Sequence, residues 1–560
     1  MESASDLTQP HLDATGPICS GDALRIPSVD RATDAVEELV QDASGENPYD
    51  RVPYPKSAHP GSHPRRLEAL ATLFGMRPAA LPKARVLELG CAAGWNLIPQ
   101  AVDYQLSHFV GVDLSAGQIA AGRQMVDSLG LENIELRHGS ILEIDDSWGS
   151  FDYILCHGVF SWVPQEIQNK ILAICKENLS PEGVAYVSYN VFPGWNLRLT
   201  IREMMLYHVA QFTEPRQQIA QARAVLDFMV ENCSADTTYG QLLREELEVI
   251  NSAGDDYLFH DHMEENNSPV YFHQFVERAE SAGLQYLGDI DFASMLPKFL
   301  TPKASAELAN APLVKQEQYM DFLRNRAFRR TLLCHQQVSL NRSLHAGLLD
   351  RFQLTLPGRP SGEAMQGQGN GNLTLTINGR SLNTNSQQGR AAITALMETW
   401  PQAVSTSTLR QVARDIDSLS ARSEKSAAAE ADESLAAGLM EAYSAGLLEI
   451  ALHPPQLVGS VSDCPQVTPW VRLQAERGSM VTNQLHENVS LGPVQRRIAM
   501  RLDGQHDSNR LCQGVEQDLA DGSIKILSDD PLSGNLHPKN MAEAVEATLE
   551  SFRQTALLIG

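Results

Sequence analysis

The chain has 560 residues and a formal net charge of −25 at pH 7. That length exceeds what one hydrophobic core usually serves, so about two to four domains are expected. The acidic balance argues against a nucleic-acid partner, because binding to a phosphate backbone needs clustered Lys and Arg side chains. No apolar run has the length of a membrane span, and the N-terminal residues lack a signal-peptide pattern.

The eight cysteines are scattered and form no Cys-x-x-Cys pair. This distribution disfavours a zinc site and a disulfide framework, and it predicts a cytoplasmic location. His260, His262 and His273 lie close together in the sequence, but their spacing does not suit a set of metal ligands on one helix face. We therefore expect no metal site.

The first 64 residues contain two different kinds of segment. Residues 1–46 are polar and are expected to form a disordered tail. Residues 47–64, NPYDRVPYPKSAHPGSHP, are rich in proline, which blocks helix and sheet. Two interpretations of this second segment stay open. It is a plain linker, or it is a lid over a ligand site in which Tyr49, Tyr54 or His63 touches the substrate.

The stretch from Arg85 to Asp113, RVLELGCAAGWNLIPQAVDYQLSHFVGVD, predicts a strand, a glycine loop, a helix and a second strand. The apolar residues around Glu88 are typical of a parallel strand that is buried on both faces. Gly90 and Gly94 follow at once and permit a sharp turn that brings bare backbone against a ligand. The second strand ends on Asp113.

A carboxylate at the end of the second strand is placed to accept hydrogen bonds from both hydroxyls of a ribose. Asp113 therefore predicts an adenosine-type cofactor. The loop reads Glu-x-Gly-x-x-x-Gly and so departs from the dinucleotide fingerprint Gly-x-Gly-x-x-Gly. The alternative is a glycine turn that binds no cofactor in another doubly wound fold.

The next elements alternate between helix and strand, as in a doubly wound α/β sheet. Helices are predicted at 115–129 and 165–179, and strands at 134–137, 151–156 and 184–189. The loops HGVFSWVP and NVFPGW follow the last two of these strands and should face a ligand, since ligands in such sheets lie beyond the carboxyl ends of the strands. Three further helices are predicted at 197–208, 216–232 and 241–251.

The C-terminal half has two polar stretches that look like loose insertions, at 359–372 and 418–434. The residues around them predict a hairpin with its turn at Asn378-Gly379, helices at 391–399 and 433–445, and a strand at 447–451. Helices with a β wing suggest a winged-helix module. Because no basic recognition helix is present, we interpret this module as a protein-interaction or scaffold element.

Several stretches together resemble one family. They are RVLELGCAAGWNLIPQA, FVGVDLSAGQIAAG, FDYILCHGVFSWVP, VAYVSYNVFPGW and DDYLFHDHMEENNSPVYFHQF. The chain is similar to the bacterial S-adenosylmethionine-dependent methyltransferases that carry a methyltransferase regulatory domain. That group includes the rickettsial protein-lysine methyltransferases that modify outer-membrane proteins. HGVFSWVP and SYNVFPGW are the motifs most specific to the group, whereas the glycine loop is shared by very many methyltransferases.

The resemblance implies an α/β fold in three parts. A Rossmann-like doubly wound methyltransferase sheet comes first, a mainly helical regulatory domain follows, and a winged-helix-like C-terminal domain ends the chain. The expected boundaries are 47–200 for the S-adenosylmethionine-binding domain, 201–345 for the regulatory domain and 346–560 for the C-terminal domain.

The implied cofactor is S-adenosyl-L-methionine. In the family, the glycine loop passes under its methionine part and the acid after the second strand holds its ribose. Carried over to this sequence, the cofactor-binding residues are Glu88, Gly90, Cys91, Gly94, Asn96, Asp113, Leu114, Gln118, Ser140, Ile141 and Cys156. Ser140 stands where the family usually has an Asp that reaches the adenine amino group; its hydroxyl can still accept one hydrogen bond.

The implied reaction places four residues at the acceptor side. His157, Tyr189, Asn190 and Trp195 follow strands four and five, and they are the predicted catalytic residues. Tyr189 and Asn190 would orient an incoming amine, and Trp195 would line its channel. The alternative for each is simple packing, since aromatic residues after strands commonly belong to the core.

Three functions are compatible with these features. The first is protein-lysine N-methylation, with a lysine of a protein as the acceptor. The second is N- or O-methylation of a small molecule, with the C-terminal half shaping the pocket or a dimer. The third is a non-catalytic scaffold that binds the cofactor. Both a monomer and a homodimer stay open.

Overall fold

The computed structural model describes residues 56–252, 255, 258–264, 266–297, 300–359, 365–368, 372–419, 425–524 and 541–560. The predicted tail, Tyr49 and Tyr54 lie outside the described residues. The described chain forms two compact units. Residues 200–263 are one, here called the helical unit, and residues 56–199 with 264–560 are the other, here called the main unit.

The main unit is built around a seven-stranded sheet in the order β3-β2-β1-β4-β5-β7-β6. Its strands are β1 (Arg85–Leu89), β2 (His108–Asp113), β3 (Ile134–His138), β4 (Phe151–Cys156), β5 (Leu179–Asn190), β6 (Leu284–Asp289) and β7 (Phe328–His335). The first five strands in this order run parallel, whereas β7 is antiparallel to both of its neighbours. The predicted Rossmann-like doubly wound sheet is thereby confirmed.

Ten helices lie within the described residues up to β7. They are α1 (Pro64–Leu73), α2 (Ile98–Asp103), α3 (Ala116–Leu129), α4 (Gln165–Glu177), α5 (Gly194–Val209), α6 (Pro215–Asn232), α7 (Thr238–Ser252), α8 (Phe272–Ser281), α9 (Pro302–Leu308) and α10 (Leu313–Arg324). The start of α3 follows from the sequence, since the Ser115 hydroxyl accepts a hydrogen bond from the Gln118 N–H at 3.1 Å. Residues 180–183, between the predicted helix and the predicted strand, lie inside β5, whose register against β4 jumps there from Leu179 to Val184.

The strands β6 and β7 come from residues 284–335, so the sheet extends beyond the expected domain boundary at residue 200. A buried ion cluster holds β7 to α10. Arg329 donates to Glu317 at 2.8 Å and to both carboxylate oxygens of Asp321 at 2.8 Å. Tyr286 on β6 donates to the same Glu317. The segment with the regulatory-domain motif therefore supplies two strands as well as helices.

The helical unit contains α6, α7 and a π-helical turn at Leu258–His262. Its core is apolar and includes Met205, Leu226 and Leu243. His262 Nε2 lies 3.1 Å from the Glu246 carboxylate. Among the described residues of the whole chain, no group of three or more His, Cys, Asp or Glu side chains is arranged to hold a metal ion.

The C-terminal part adds eight short strands and seven helices within the described residues. The strands are β8 (Gln353–Thr355), β9 (Met365–Gln368), β10 (Asn372–Ile377), β11 (Arg380–Thr384), β12 (Val404–Ser405), β13 (Glu449–Ala451), β14 (Met480–Thr482) and β15 (Asn488–Ser490). The helices are α11 (Gln387–Thr399), α12 (Thr406–Leu419), α13 (Lys425–Ser444), α14 (Pro469–Arg477), α15 (Pro493–Arg501), α16 (Ser508–Ala520) and α17 (Met541–Gln554).

The predicted hairpin with its turn at Asn378-Gly379 is present, since β10 pairs with β11 in antiparallel register. The second stretch expected to be a loose polar insertion is helical from Lys425, where α13 begins. Helices α14 to α17 and the β14–β15 hairpin enclose a core of their own around Val471, Ile498 and Phe552. None of the helices in the described part of the chain combines the length and apolar character needed to cross a membrane.

Candidate active site

A cavity of about 150 Å³ opens at the carboxyl ends of β1, β2 and β4. From β1, the strands β2 and β3 are added on one side of the sheet, and β4 and β5 are added on the other. Doubly wound sheets bind their ligands at the point where the strand order reverses in this way. Seven of the fifteen predicted site residues line the cavity: Gly90, Asp113, Leu114, Gln118, Ser140, Ile141 and His157.

The glycine loop forms the floor of this cavity. Gly90 has φ +73°, and a Cβ atom there would come within 2.4 Å of Val159 Cγ2, so no other residue fits without displacing that side chain. The N–H groups of Gly90 and Cys91 both donate to the Val112 carbonyl, at 2.9 and 3.0 Å. These two bonds fix the loop against the end of β2.

Asp113 is held by backbone on both sides of its carboxylate. One oxygen accepts from the Ala92 N–H at 2.8 Å and the other from the Ser115 N–H at 2.9 Å. A carboxylate oxygen has more than one acceptor position, so each can also accept from a ribose hydroxyl. Ser140 lies across the cavity, and its hydroxyl accepts from the Leu142 N–H at 3.2 Å.

Glu88 lies near the carboxyl end of β1, just before the loop, and is not part of the lining of this cavity. Its Oε1 accepts from Asn96 Nδ2 at 2.7 Å, whereas its Oε2 is buried and has no hydrogen-bond partner in the described chain. Burial raises the pKa of the Glu88 carboxyl to about 8; the hydrogen bond from Asn96 lowers it, and the charge of Asp113 raises it. An unpaired carboxyl oxygen beside the loop fits a cationic group such as the ammonium of an amino acid.

His157 closes the cavity at the end of β4. Its Nδ1 lies 2.8 Å from the Tyr186 hydroxyl, and its ring stacks on His59 with centroids 3.9 Å apart. Burial holds the pKa of His157 well below its usual value, and the charges of His59 and Arg330 act in the same direction. Burial also lowers the pKa of His59 to about 4. Both rings are therefore neutral at pH 7.

The other predicted catalytic residues lie outside the cavity lining. Tyr189 is 1% exposed, its ring stacks on Phe275 at 3.9 Å, and its hydroxyl bonds to Thr331 Oγ1 at 2.9 Å. The side chain of Asn190 donates to Asn267 at 3.1 Å. Trp195 is buried too, but its ring contacts that of Trp162, which does line the cavity, at 6.0 Å.

The remaining predicted cofactor residues support the loop from behind. Cys91 and Cys156 are buried in the core, and Gly94 (φ +78°) packs against Leu136. Asn96 is 4% exposed and bonds to Glu88. These residues shape the site without reaching the cavity.

Sequence reasoning missed two residues that meet His157. One is Tyr186, which shares a face of β5 with Ser188; that face meets the β4 loop, where the Ser188 hydroxyl accepts from the Gly158 N–H at 2.8 Å. His59 lies in the proline-rich segment, where only His63 was singled out among the histidines. The described part of that segment packs against the loop, and His63 itself is buried behind it, 4.8 Å from the His486 ring.

Comparison with known proteins agrees with this geometry. Three family models match: "Methyltransferase domain" at residues 86–183, "Predicted methyltransferase regulatory domain" at 254–335 and "PKMT, C-terminal winged helix domain" at 463–557. The uncharacterized protein RP789 of Rickettsia prowazekii is 36% identical over 545 residues, which cover 95% of this chain and 97% of that protein. The chain belongs to the rickettsial PKMT family of methyltransferases.

A solved structure supports this assignment along nearly the whole chain. PKMT2 from Rickettsia typhi, in complex with AdoHcy, is 33% identical, and the match covers 91% of this chain and 100% of that one with a TM-score of 0.80. The present chain is an S-adenosylmethionine-dependent methyltransferase. The winged-helix domain matches at residues 463–557, whereas the sequence pattern predicts a winged helix earlier, at 373–451.

The described residues fit this cofactor. Asp113 would hold the ribose, the loop at Gly90 would pass under the methionine part, and the free Glu88 oxygen would face its ammonium. Bound there, S-adenosylmethionine supplies a methyl group that a nucleophile can accept. On the acceptor side, the chain would supply a wall of uncharged side chains: His157 and Trp162 line the cavity, and Tyr186 is buried behind His157.

Proposed function

We propose that this protein transfers methyl groups to the ε-amine of lysine in a protein acceptor. The observation that carries the proposal is the match to all of PKMT2, which includes the regulatory and C-terminal parts and not the cofactor domain alone. The catalytic part of the proposal rests on the cavity wall next to His157.

We assign His157 to the acceptor side of the reaction. Its Nε2 makes no hydrogen bond within the described chain, whereas Nδ1 is occupied by Tyr186. In the tautomer in which Nδ1–H donates to the Tyr186 oxygen, Nε2 presents a lone pair to an incoming amine. A neutral imidazole does not repel lysine, and it helps to direct the nitrogen lone pair along the line of attack, which methyl transfer requires.

The test uses the full chain, tritiated S-adenosylmethionine and a protein extract of its own host. We expect label in protein, and tryptic peptides that carry methyl groups on lysine. His157→Phe should lower turnover at least about tenfold while the dissociation constant of S-adenosylhomocysteine changes little. His108→Phe is the matched control, because His108 is exposed at the opposite end of the sheet.

Label found only in molecules small enough to pass a protein filter would overturn the lysine assignment in favour of a small-molecule acceptor. Equal turnover in the wild type and His157→Phe would remove His157 from the acceptor site. We also propose a cytoplasmic location, on the basis of the scattered cysteines, of which the seven in the described chain are free thiols.

A further inference from the structure

The β14–β15 hairpin of the C-terminal part ends in a tightly bonded turn. His486 occupies this turn with φ +66°, and its N–H donates to the Asn483 carbonyl at 2.9 Å. The Asn483 side chain accepts from the N–H groups of Leu485 and Glu487 and donates to the Thr555 carbonyl at 2.9 Å. The turn is therefore a rigid projection whose tip carries an imidazole.

That imidazole reaches the residue that supports the cofactor loop. His486 Nε2 lies 2.8 Å from Asn96 Oδ1, and Asn96 Nδ2 lies 2.7 Å from Glu88 Oε1. Asn96 Oδ1 also accepts from the His59 N–H at 2.9 Å. A backbone N–H can only donate, so the atom that faces it is the amide oxygen, and His486 Nε2 must carry the hydrogen of its bond.

The same hairpin also holds the segment in front of the cavity. The Asn488 side chain accepts from the Ala58 N–H at 3.0 Å and donates to the Ala58 carbonyl at 2.9 Å. Ala58 precedes His59, whose ring stacks on His157. Next to the hairpin, Trp470 of α14 contacts Trp95 in the cofactor loop, with ring centroids 5.1 Å apart.

The hairpin thus contacts both Asn96, which supports the cofactor loop, and Ala58, which precedes His59. These residues lie about 390 and 430 positions away in the sequence. Burying a polar side chain is unfavourable unless it is hydrogen-bonded. A C-terminal part that only packed against the sheet could use an apolar side chain here. His486 is 3% exposed, and its bond to Asn96 is the reason it can be buried.

We propose that His486 is a positioning residue for the cofactor, and that the winged-helix part of this chain thereby contributes to cofactor affinity within the same molecule. By donating to Asn96, His486 fixes the amide that orients the Glu88 carboxyl toward the methionine end of the ligand. This inference rests on cofactor binding and not on the identity of the acceptor.

The experiment compares His486→Leu with His486→Gln in the full chain. Leucine removes the donor, whereas the glutamine amide can replace Nε2–H. We expect S-adenosylhomocysteine to bind about tenfold more weakly to His486→Leu and near normally to His486→Gln, as measured by calorimetry. His506→Ala is the matched control, because His506 lies in the same part of the chain and bonds to Asp503 away from the cofactor.

The pH dependence of cofactor affinity distinguishes a positioning role of His486 from a role in packing alone. The hydrogen bond from Asn96 lowers the pKa of Glu88. His486→Leu removes the donor that holds the Asn96 amide, so this bond should weaken and the pH midpoint of cofactor affinity should move upward. All other titratable groups that face this network are unchanged in the variant: Asp113, Cys91, Cys156, His59, His63, Arg65 and Arg66.

Unchanged affinity and an unchanged pH midpoint in a folded His486→Leu would overturn the proposal. So would an equal loss of affinity in the leucine and glutamine variants with no shift of the midpoint, since that result means packing alone. If the leucine variant does not fold, His486→Asn replaces it, because the shorter amide keeps a polar group in the site but does not reach Asn96.

Discussion

The Glu88 carboxyl should make the ligand-free protein lose stability as the pH rises from about 5 to 8. Its pKa is about 8 in the folded protein against 4.5 for the free side chain. Because this folded-state pKa is raised, the contribution of the group is fully present below pH 4.5 and is lost as the pH rises toward 8. At about 1.4 kcal/mol per pH unit, the loss between pH 5 and 7.5 is roughly 3 kcal/mol.

The substitution Glu88→Gln removes this titration while keeping the shape of the side chain. The free energy of unfolding, measured by urea denaturation and circular dichroism, should therefore fall less steeply with pH in the variant, by roughly 3 kcal/mol over that interval. Other buried acids such as Glu68, whose pKa burial raises to about 7, contribute equally to both proteins and cancel in the difference. The exposed Glu132→Gln is the control and should run parallel to the wild type.

The same carboxyl should report cofactor binding. A ligand ammonium facing Glu88 Oε2 favours the ionised form, so S-adenosylhomocysteine binding at pH 7 should release a proton. Calorimetry in buffers of different ionisation enthalpy measures that release, and it should be absent in Glu88→Gln. Parallel stability curves for wild type and variant, together with no proton release, would refute the reasoning.

Four further outcomes are expected. Asp113→Ala should weaken S-adenosylhomocysteine binding by about ten- to a hundredfold in calorimetry while the melting temperature stays close to that of the wild type. Tyr189→Phe should lose about 0.5–1.5 kcal/mol of stability in urea denaturation through its bond to Thr331, and turnover per folded molecule should be unchanged. Arg329→Met should destabilise by about 3–5 kcal/mol in the same assay, because two buried carboxylates lose their partner. Limited proteolysis should cut first within 359–372, which is rich in Gly and Gln, and a first cut between Arg85 and Asp113 would contradict a separately folding part beyond about residue 360.

The cofactor half of the site could be predicted because it is local in the sequence. Gly90 directly follows the first strand and Asp113 ends the second, with one helix between them. A short parallel unit of this kind has one handedness and a fixed edge for its ligand. The backbone conformation that Gly90 permits and the charge of Asp113 are properties of single residues, so both can be recognised in the sequence. The structure places both in the cavity lining.

The acceptor half could not be predicted in the same way, because β5 is buried on both faces. In VAYVSYN the apolar and aromatic residues give no alternation, so the sequence does not say which tyrosine faces the β4 loop. The structure places Tyr186 there and Tyr189 on the other face. The contact between His486 and Asn96 could not be predicted either, because it depends on how the C-terminal part packs against the cofactor loop.

The four histidines around the loop are uncharged at neutral pH, and this decides how the site treats an incoming amine. Burial lowers the pKa of His59, His63, His157 and His486, and it keeps Glu88 largely protonated at pH 7. A lysine that enters beside the neutral His157 ring loses hydration without gaining a counter-ion from it, and that environment lowers the pKa of an amine. Under the proposed function, the same desolvation that neutralises the histidines therefore deprotonates the acceptor. The nucleophile forms without a strong base, which explains why the cavity wall next to His157 needs uncharged side chains and close positioning more than an ionised catalytic acid.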